Sequence, residues 1–169
     1  MKKLSAKRSV SGTMFGRATT AAEIVRVHPV MRELRPHHAD ERAFVRQVLK
    51  QMREGFRLVY LENNGEIRAA AGYRIYDLLY SGRTLYVDDL VTREANRSQG
   101  FGGQIFDWLV EEAKREGCQE LTLDSGVQRV DAHRFYLMKR MAITSHHFGL
   151  KINSGDQAID TCDSPSTID

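Results

Sequence analysis

The stretch that decides the fold reads Arg97-Ser98-Gln99-Gly100-Phe101-Gly102-Gly103. Before it, Thr84-Leu85-Tyr86-Val87-Asp88-Asp89-Leu90-Val91-Thr92 alternates enough to predict a strand. After it, Ile105, Phe106, Leu109, Val110 and Ala113 recur at helical spacing, and Gly117 supplies a stop, so the spacing predicts a helix. A strand, a short glycine-rich turn and then a helix is a recurrent way to build an anion site. The first amides of a helix have no intrahelical acceptor, and the helix dipole makes that end partly positive. Glycines at 100, 102 and 103 remove side chains that would keep a phosphate away from those amides.

Two familiar phosphate motifs fail on residues their chemistry requires. A dinucleotide fingerprint needs a third glycine where Ile105 stands, and a nucleotide P-loop needs Gly-Lys-Ser/Thr where the chain reads Gly103-Gln104-Ile105. What remains is Arg-x-x-Gly-x-Gly between a strand and a helix. This resembles the GNAT superfamily of acetyl-CoA-dependent N-acetyltransferases, whose signature is Gln/Arg-x-x-Gly-x-Gly/Ala. The resemblance covers roughly residues 24 to 152.

A chain of 169 residues suits one domain with a sizeable core. No run approaches the roughly 18 apolar residues that a membrane helix needs. Cys118 and Cys162 lie far apart without the neighbours of a metal site, as expected for free thiols in a reducing cytoplasm. The net charge of +3 is unevenly spread. Residues 1–22 carry Lys2, Lys3, Lys7, Arg8 and Arg17 without an acid and read as a disordered basic leader. The tail after Ile152 carries Asp156, Asp160, Asp163 and Asp169 without a base, and also reads as disordered. Between them, residues 23–152 hold 20 basic and 18 acidic side chains, so nucleic acid is not an expected partner.

Taken in order, Ile24, Val25, Val27 and Val30 predict a first strand, with Pro29 at an edge or bend. Asp40 and Glu41 open a helix whose stripe is Phe44, Val48, Leu49 and Met52, closed by Gly55. Leu58–Leu61 reads as a strand, Asn63-Asn64-Gly65 as a hairpin turn, and Glu66–Tyr76 as the return. The small-residue run Ala69-Ala70-Ala71-Gly72 at its heart implies that something bulky packs there. A turn at Ser81-Gly82 passes the chain to the strand 84–92. Beyond the central helix, Glu120–Asp124 reads as a strand parallel to 84–92 if the connection is right-handed. A helix from Asp131 to about Lys139 and a last strand, Ser145–Ile152, complete the series. The order β-α-β-β-β-α-β-α-β is that of the GNAT fold. It is an α/β architecture: a mixed sheet of about six to seven strands flanked by helices, with its central parallel strands splayed.

The resemblance also implies the chemistry. Acetyl-CoA would be held at its pyrophosphate by Arg97, Ser98, Gln99, Gly100, Phe101, Gly102 and Gly103, and along its pantetheine arm by the backbone of Leu90, Val91 and Thr92. The family uses a tyrosine in the pattern Ala-x-x-x-Tyr to protonate the leaving thiolate, and Ala132-His133-Arg134-Phe135-Tyr136 matches, assigning Tyr136. This chain has Arg129 where the family often has Asn, and Arg140-Met141 where it often has Gly-Phe. Asp88 and Asp89 interrupt an apolar strand where family members often place an acid that orients the amine. Strand alternation sends the two to opposite faces, which leaves at most one facing the acceptor, with Asp88 preferred. The implied reaction is acetyl transfer to a primary amine of a small molecule or protein, with no metal and no membrane, in a protein able to form a homodimer. A larger acyl donor and a non-catalytic acyl-CoA sensor are the alternatives.

Overall fold

The computed structural model describes residues 12–152. By internal packing the described residues divide into two units, one up to residue 126 and one from residue 127.

The first unit is built on one five-stranded sheet. Its strands are β1 (Thr13–Ala18), β2 (Arg57–Asn63), β3 (Glu66–Leu78), β4 (Gly82–Thr92) and β5 (Glu120–Leu123), side by side in that order. The first four pair antiparallel, and β4 with β5 parallel. Two helices, α1 (Ala21–Leu34) and α2 (Glu41–Arg53), separate β1 from β2, and α3 (Phe101–Arg115) makes the crossover from β4 to β5.

Helices lie on both faces because the strands alternate. One face sends Ala18, Leu58, Tyr60, Ala70 and Val91 against Ile24, Val27, Met31, Phe44 and Val48 of α1 and α2. The other sends Val59, Leu61, Tyr73, Leu85 and Val87 against Phe101, Ile105, Leu109 and Ala113 of α3. Each large side chain so buried contributes on the order of 1.5–3 kcal/mol. The β2–β3 hairpin turns at Asn64 and Gly65, both at positive φ, as the sequence predicts. The bulky partner of the small-residue run is Phe56, since a Cβ on Gly72 would stand 2.4 Å from its ring.

The expected GNAT-like α/β architecture is present, with three differences in its elements. Residues 24–30 are helical, not a strand. Thr20 caps α1 through a reciprocal box with Glu23, and Ile24, Val27, His28 and Met31 share the buried stripe. The β-branched residues that suggested a strand sit on a helix face because packing overrides propensity. Second, β1 lies inside the stretch read as a disordered leader. It is an edge strand whose register against β2 runs from Thr13↔Asn63 to Ala18↔Leu58. Third, Ser145–Ile152 forms no strand, so the sheet has five strands among the described residues rather than six or seven. Residues 1–11 and 153–169, the rest of the leader and the acidic tail, lie outside the described residues.

The second unit contains α4 (Val130–Met138). Arg140 follows at positive φ, and the Met141 amide donates to the Tyr136 carbonyl at 3.0 Å, closing the helix.

Candidate active site

Everything distinctive about the site follows from what happens along β4. From Thr84 to Val87 the strand is paired on both sides, with β3 and with β5. Pairing to β5 ends at Val87↔Leu123, while β4 runs on to Thr92, still paired to β3 through Thr92↔Ala69. Among the described residues, the β5-facing edge of residues 88–92 therefore has no strand beside it in the sheet, and its backbone groups need other partners.

At the same point the register slips. Tyr73 faces Val87 and Gly72 faces Asp89, which leaves Asp88 as the extra residue of a bulge. The slip reverses the side-chain parity. Leu85 and Val87 pack toward α3, Asp88 and Asp89 both reach the α1/α2 face, and alternation resumes with Leu90 toward α3 and Val91 toward α1. This corrects the expectation that the two aspartates point to opposite faces. The bulge puts both carboxylates in one cavity of about 380 Å³, whose wall also includes Arg35, His37, His38, Gln47, Gln51 and Tyr86.

The two carboxylates differ in how they are held. Arg74 Nε donates to both oxygens of Asp88, at 3.1 and 3.2 Å. Burial pushes the Asp88 carboxyl above the usual range; Arg74 opposes that rise and neighbouring Asp89 adds to it. Asp89 accepts from Arg35 Nε through Oδ1 at 2.8 Å, and no hydrogen bond from the described residues reaches its Oδ2. Arg35 also spans to the Asp88 carbonyl at 3.4 Å, so the C-cap of α1 clamps the bulge. Beside them, Tyr86 donates its hydroxyl to Asp124 at 2.8 Å, and burial together with that bond holds its phenol well above its ordinary pKa.

Beyond Thr92, one 3₁₀ turn (Glu94–Asn96) leads into the glycine-rich stretch. Ser98 and Gly100 take positive φ, and Gly100 at φ +85° is the N-cap of α3. No side chain caps this helix and its first turn carries no acid; the first intrahelical bond runs from the Gln104 amide to the Gly100 carbonyl. Gly102 approaches the end of β4 so closely that a Cβ would stand 2.9 Å from Thr92 Oγ1. Arg97 is exposed, with only a long contact of 3.9 Å to Glu94. An uncapped, acid-free helix start with an exposed guanidinium beside it suits a phosphate, so the residues fit the pyrophosphate that the resemblance implies here.

Four residues that support this arrangement carry no motif. Asn96 is buried and accepts from Arg68 Nη1 at 3.2 Å, anchoring the turn to β3. Glu33 on α1 accepts from the Glu94 amide at 2.7 Å and faces Arg93 at 3.6 Å. With Arg35, these give α1 a hold on both the bulge and the turn. Their signal in the sequence is nil, because each depends on a partner 28 to 61 residues away.

Thus Asp88, Asp89, Leu90, Val91, Thr92 and the 97–103 turn lie along one continuous path in the first unit. Tyr136 lies on α4 of the second unit, half-buried, with the Phe135 ring edge-on at 5.5 Å; burial raises its phenol and Arg129 opposes the rise. Among the described residues, no group of three or more His, Cys, Asp or Glu side chains is placed to hold a metal, and no helix is long and apolar enough to cross a membrane.

A mixed sheet with parallel strands parting beside an uncapped helix start is an architecture of the GNAT type. The chain belongs to the acetyltransferase (GNAT) family, whose model matches residues 24–141. It is 35% identical over 121 residues to an uncharacterized N-acetyltransferase, YhdJ, of Bacillus subtilis, an alignment covering 72% of this chain and 85% of that one. It is 28% identical to the aminoalkylphosphonate N-acetyltransferase of Salmonella typhimurium, over 78% of this chain and 86% of that one. Among solved structures, AAC(6')-Iy in complex with the bisubstrate analogue CoA-S-monomethyl-acetylneamine superposes with a TM-score of 0.72, covering 85% of this chain and 99% of that one at 13% identity.

Proposed function

We propose that this protein transfers an acetyl group from acetyl-CoA to a primary amine, in a reducing cytoplasm. The observation that carries the reading is the half-open strand. β4 loses its β5 partner after Val87 and then leads into the uncapped start of α3. That path offers amides and carbonyls for an extended amide-bearing arm, followed by a helix terminus for phosphates. The name of the Salmonella relative, which places its acetyl group on an aminoalkylphosphonate, supports an amine acceptor.

Each residue then has a task. The first amides of α3, with Arg97, Ser98 and Gln99, hold the pyrophosphate. The backbone of Leu90, Val91 and Thr92 holds the arm. Bound there, acetyl-CoA supplies a thioester carbonyl open to attack. Asp89 Oδ2 draws the ammonium into the cavity and fixes the nitrogen, and the bulge keeps Asp88 beside it. Asp89 orients the water that accepts the proton. Tyr136 Oη, kept protonated at working pH, holds the proton that the departing sulfur takes.

The test is free-thiol release from acetyl-CoA against a panel of amines, with the product identified by mass. Amine-dependent thiol release, with one acetyl group gained by the amine, is the expected result. Tight acetyl-CoA binding with no release for any amine would instead make the chain an acyl-CoA sensor.

A further inference from the structure

The acceptor cavity carries charges of both signs, and their pairing selects among amines. Asp88 has both oxygens on Arg74, and Asp89 has Oδ1 on Arg35. Each carboxylate is therefore matched by one guanidinium before any amine arrives. Within the cavity, the charged groups to which no described residue gives a hydrogen bond are one of each sign, Asp89 Oδ2 and Arg35 Nη1. They sit on the two partners of one 2.8 Å ion pair, so they are close neighbours in the cavity. Around them the wall is hydrogen-bonding, from His37, His38, Gln47 and Gln51, and its volume of about 380 Å³ suits a small molecule.

An ammonium placed at Asp89 Oδ2 is held by the carboxylate it touches, and the Arg35 charge on the other oxygen weakens that hold. A second ammonium on the same molecule finds no unmatched carboxylate and adds only repulsion. An anionic group on a short spacer is different, because it meets the open edge of the Arg35 guanidinium, whose fork fits carboxylate, sulfonate or phosphonate. Resting on the acetyl-transfer reading, we propose that the acceptor is a small zwitterionic amine, its ammonium on Asp89 and its anion on Arg35, and not a polycation. Arg35 is then a specificity residue as well as the clamp on the bulge.

The experiment compares kcat/KM for β-alanine, taurine and aminomethylphosphonate with that for propylamine and putrescine, in the wild type and in Arg35→Gln. A wild-type preference for at least one zwitterion over propylamine of about tenfold or more is expected, as one charge-assisted contact provides. In Arg35→Gln the ratio should collapse toward unity. Putrescine used as well as or better than every zwitterion by the wild type would overturn the inference and leave acetyl transfer standing. So would a folded Arg35→Gln protein that keeps the full zwitterion-to-propylamine ratio. Should that variant not fold, the wild-type panel alone decides. No thiol release with any amine would overturn the acetyl-transfer reading, and the inference with it.

Discussion

Two carboxylate–guanidinium clusters stand on opposite faces of the same sheet, and they are built to different ends. On the α3 face, Glu112 is buried and every lone pair is used. Oε1 accepts from Arg17 and from Arg57, and from the Tyr73 hydroxyl at 3.0 Å, while Oε2 accepts from Arg115 at 3.0 and 2.6 Å. That cluster ties β1, β2 and β3 to α3. On the other face, Asp89 takes one guanidinium and leaves an oxygen toward a cavity. A closed cluster holds elements together; an open one keeps an acceptor for a ligand. Both carboxylates look alike in sequence, and completeness of pairing tells them apart.

Removing Glu112 should have the largest effect of any single change. Glu112→Ala leaves Arg17, Arg57 and Tyr73 facing an unfilled buried space, and breaking such a pair costs about 3–5 kcal/mol. Thermal unfolding should show Tm falling by roughly 10 °C or more, while kcat of the protein that remains folded at low temperature changes little. Asp89→Asn should do the reverse. Tm should move little, while kcat/KM for the amine falls by about 10², within the range for a group that positions a transferred proton. If Asp89→Asn unfolds the protein, or Glu112→Ala abolishes turnover without lowering Tm, the contrast between the clusters is wrong.

Tyr136→Phe should keep the ring's packing and acetyl-CoA affinity but slow turnover by about 10², the low end for general acid catalysis. The loss should shrink as pH rises, since a thiolate leaves more readily without a proton when the solution is basic. A wild-type rate profile in the variant would make Tyr136 a packing residue.

The fold was legible wherever one element could be read from its own residues. The α2 stripe, the Asn64-Gly65 turn and the glycine-rich start of α3 each announce themselves locally. The first helix was legible too, through Thr20 and Glu23 as a capping box and the spacing of Ile24, Val27 and Met31, but four β-branched residues pointed to a strand. β1 was not, because Thr13-Met14-Phe15-Gly16-Arg17-Ala18 has little pattern of its own and becomes a strand only by pairing with β2. For the site, both aspartates were visible as acids in an apolar strand. Their shared orientation was not, because the bulge arises from the β3–β4 register, and neither was Arg35, which meets Asp89 across 54 positions.

Smaller effects sharpen the same contrast. Arg97→Ala should weaken acetyl-CoA binding by roughly 5–10-fold in calorimetry, as for one exposed charge-assisted contact, with Tm unchanged because Arg97 has only its long contact with Glu94. Gly102 is a poorer probe, since any side chain there also crowds Thr92. Asp88→Asn should also change stability little. Burial raises the Asp88 carboxyl, so the folded chain holds this proton more readily than the unfolded chain does. The favourable contribution is complete below the ordinary carboxylate range and is lost as pH rises through the raised value. A permanently neutral Asn should therefore cost about 1 kcal/mol or less at pH 7, less than the loss of an ion pair with Arg74 would suggest. A much larger loss in denaturant titrations would mean that the ion pair outweighs burial.

The central claim is that the half-open end of β4 and the start of α3 together hold acetyl-CoA. Amide hydrogen exchange with and without acetyl-CoA tests it most directly. Slowed exchange confined to residues 88–92 and 97–103, with the Glu112 end of α3 and the β1–β2 pair unchanged, is the predicted result. Exchange at those two stretches that does not respond to saturating acetyl-CoA, or protection that appears on another face instead, would contradict it.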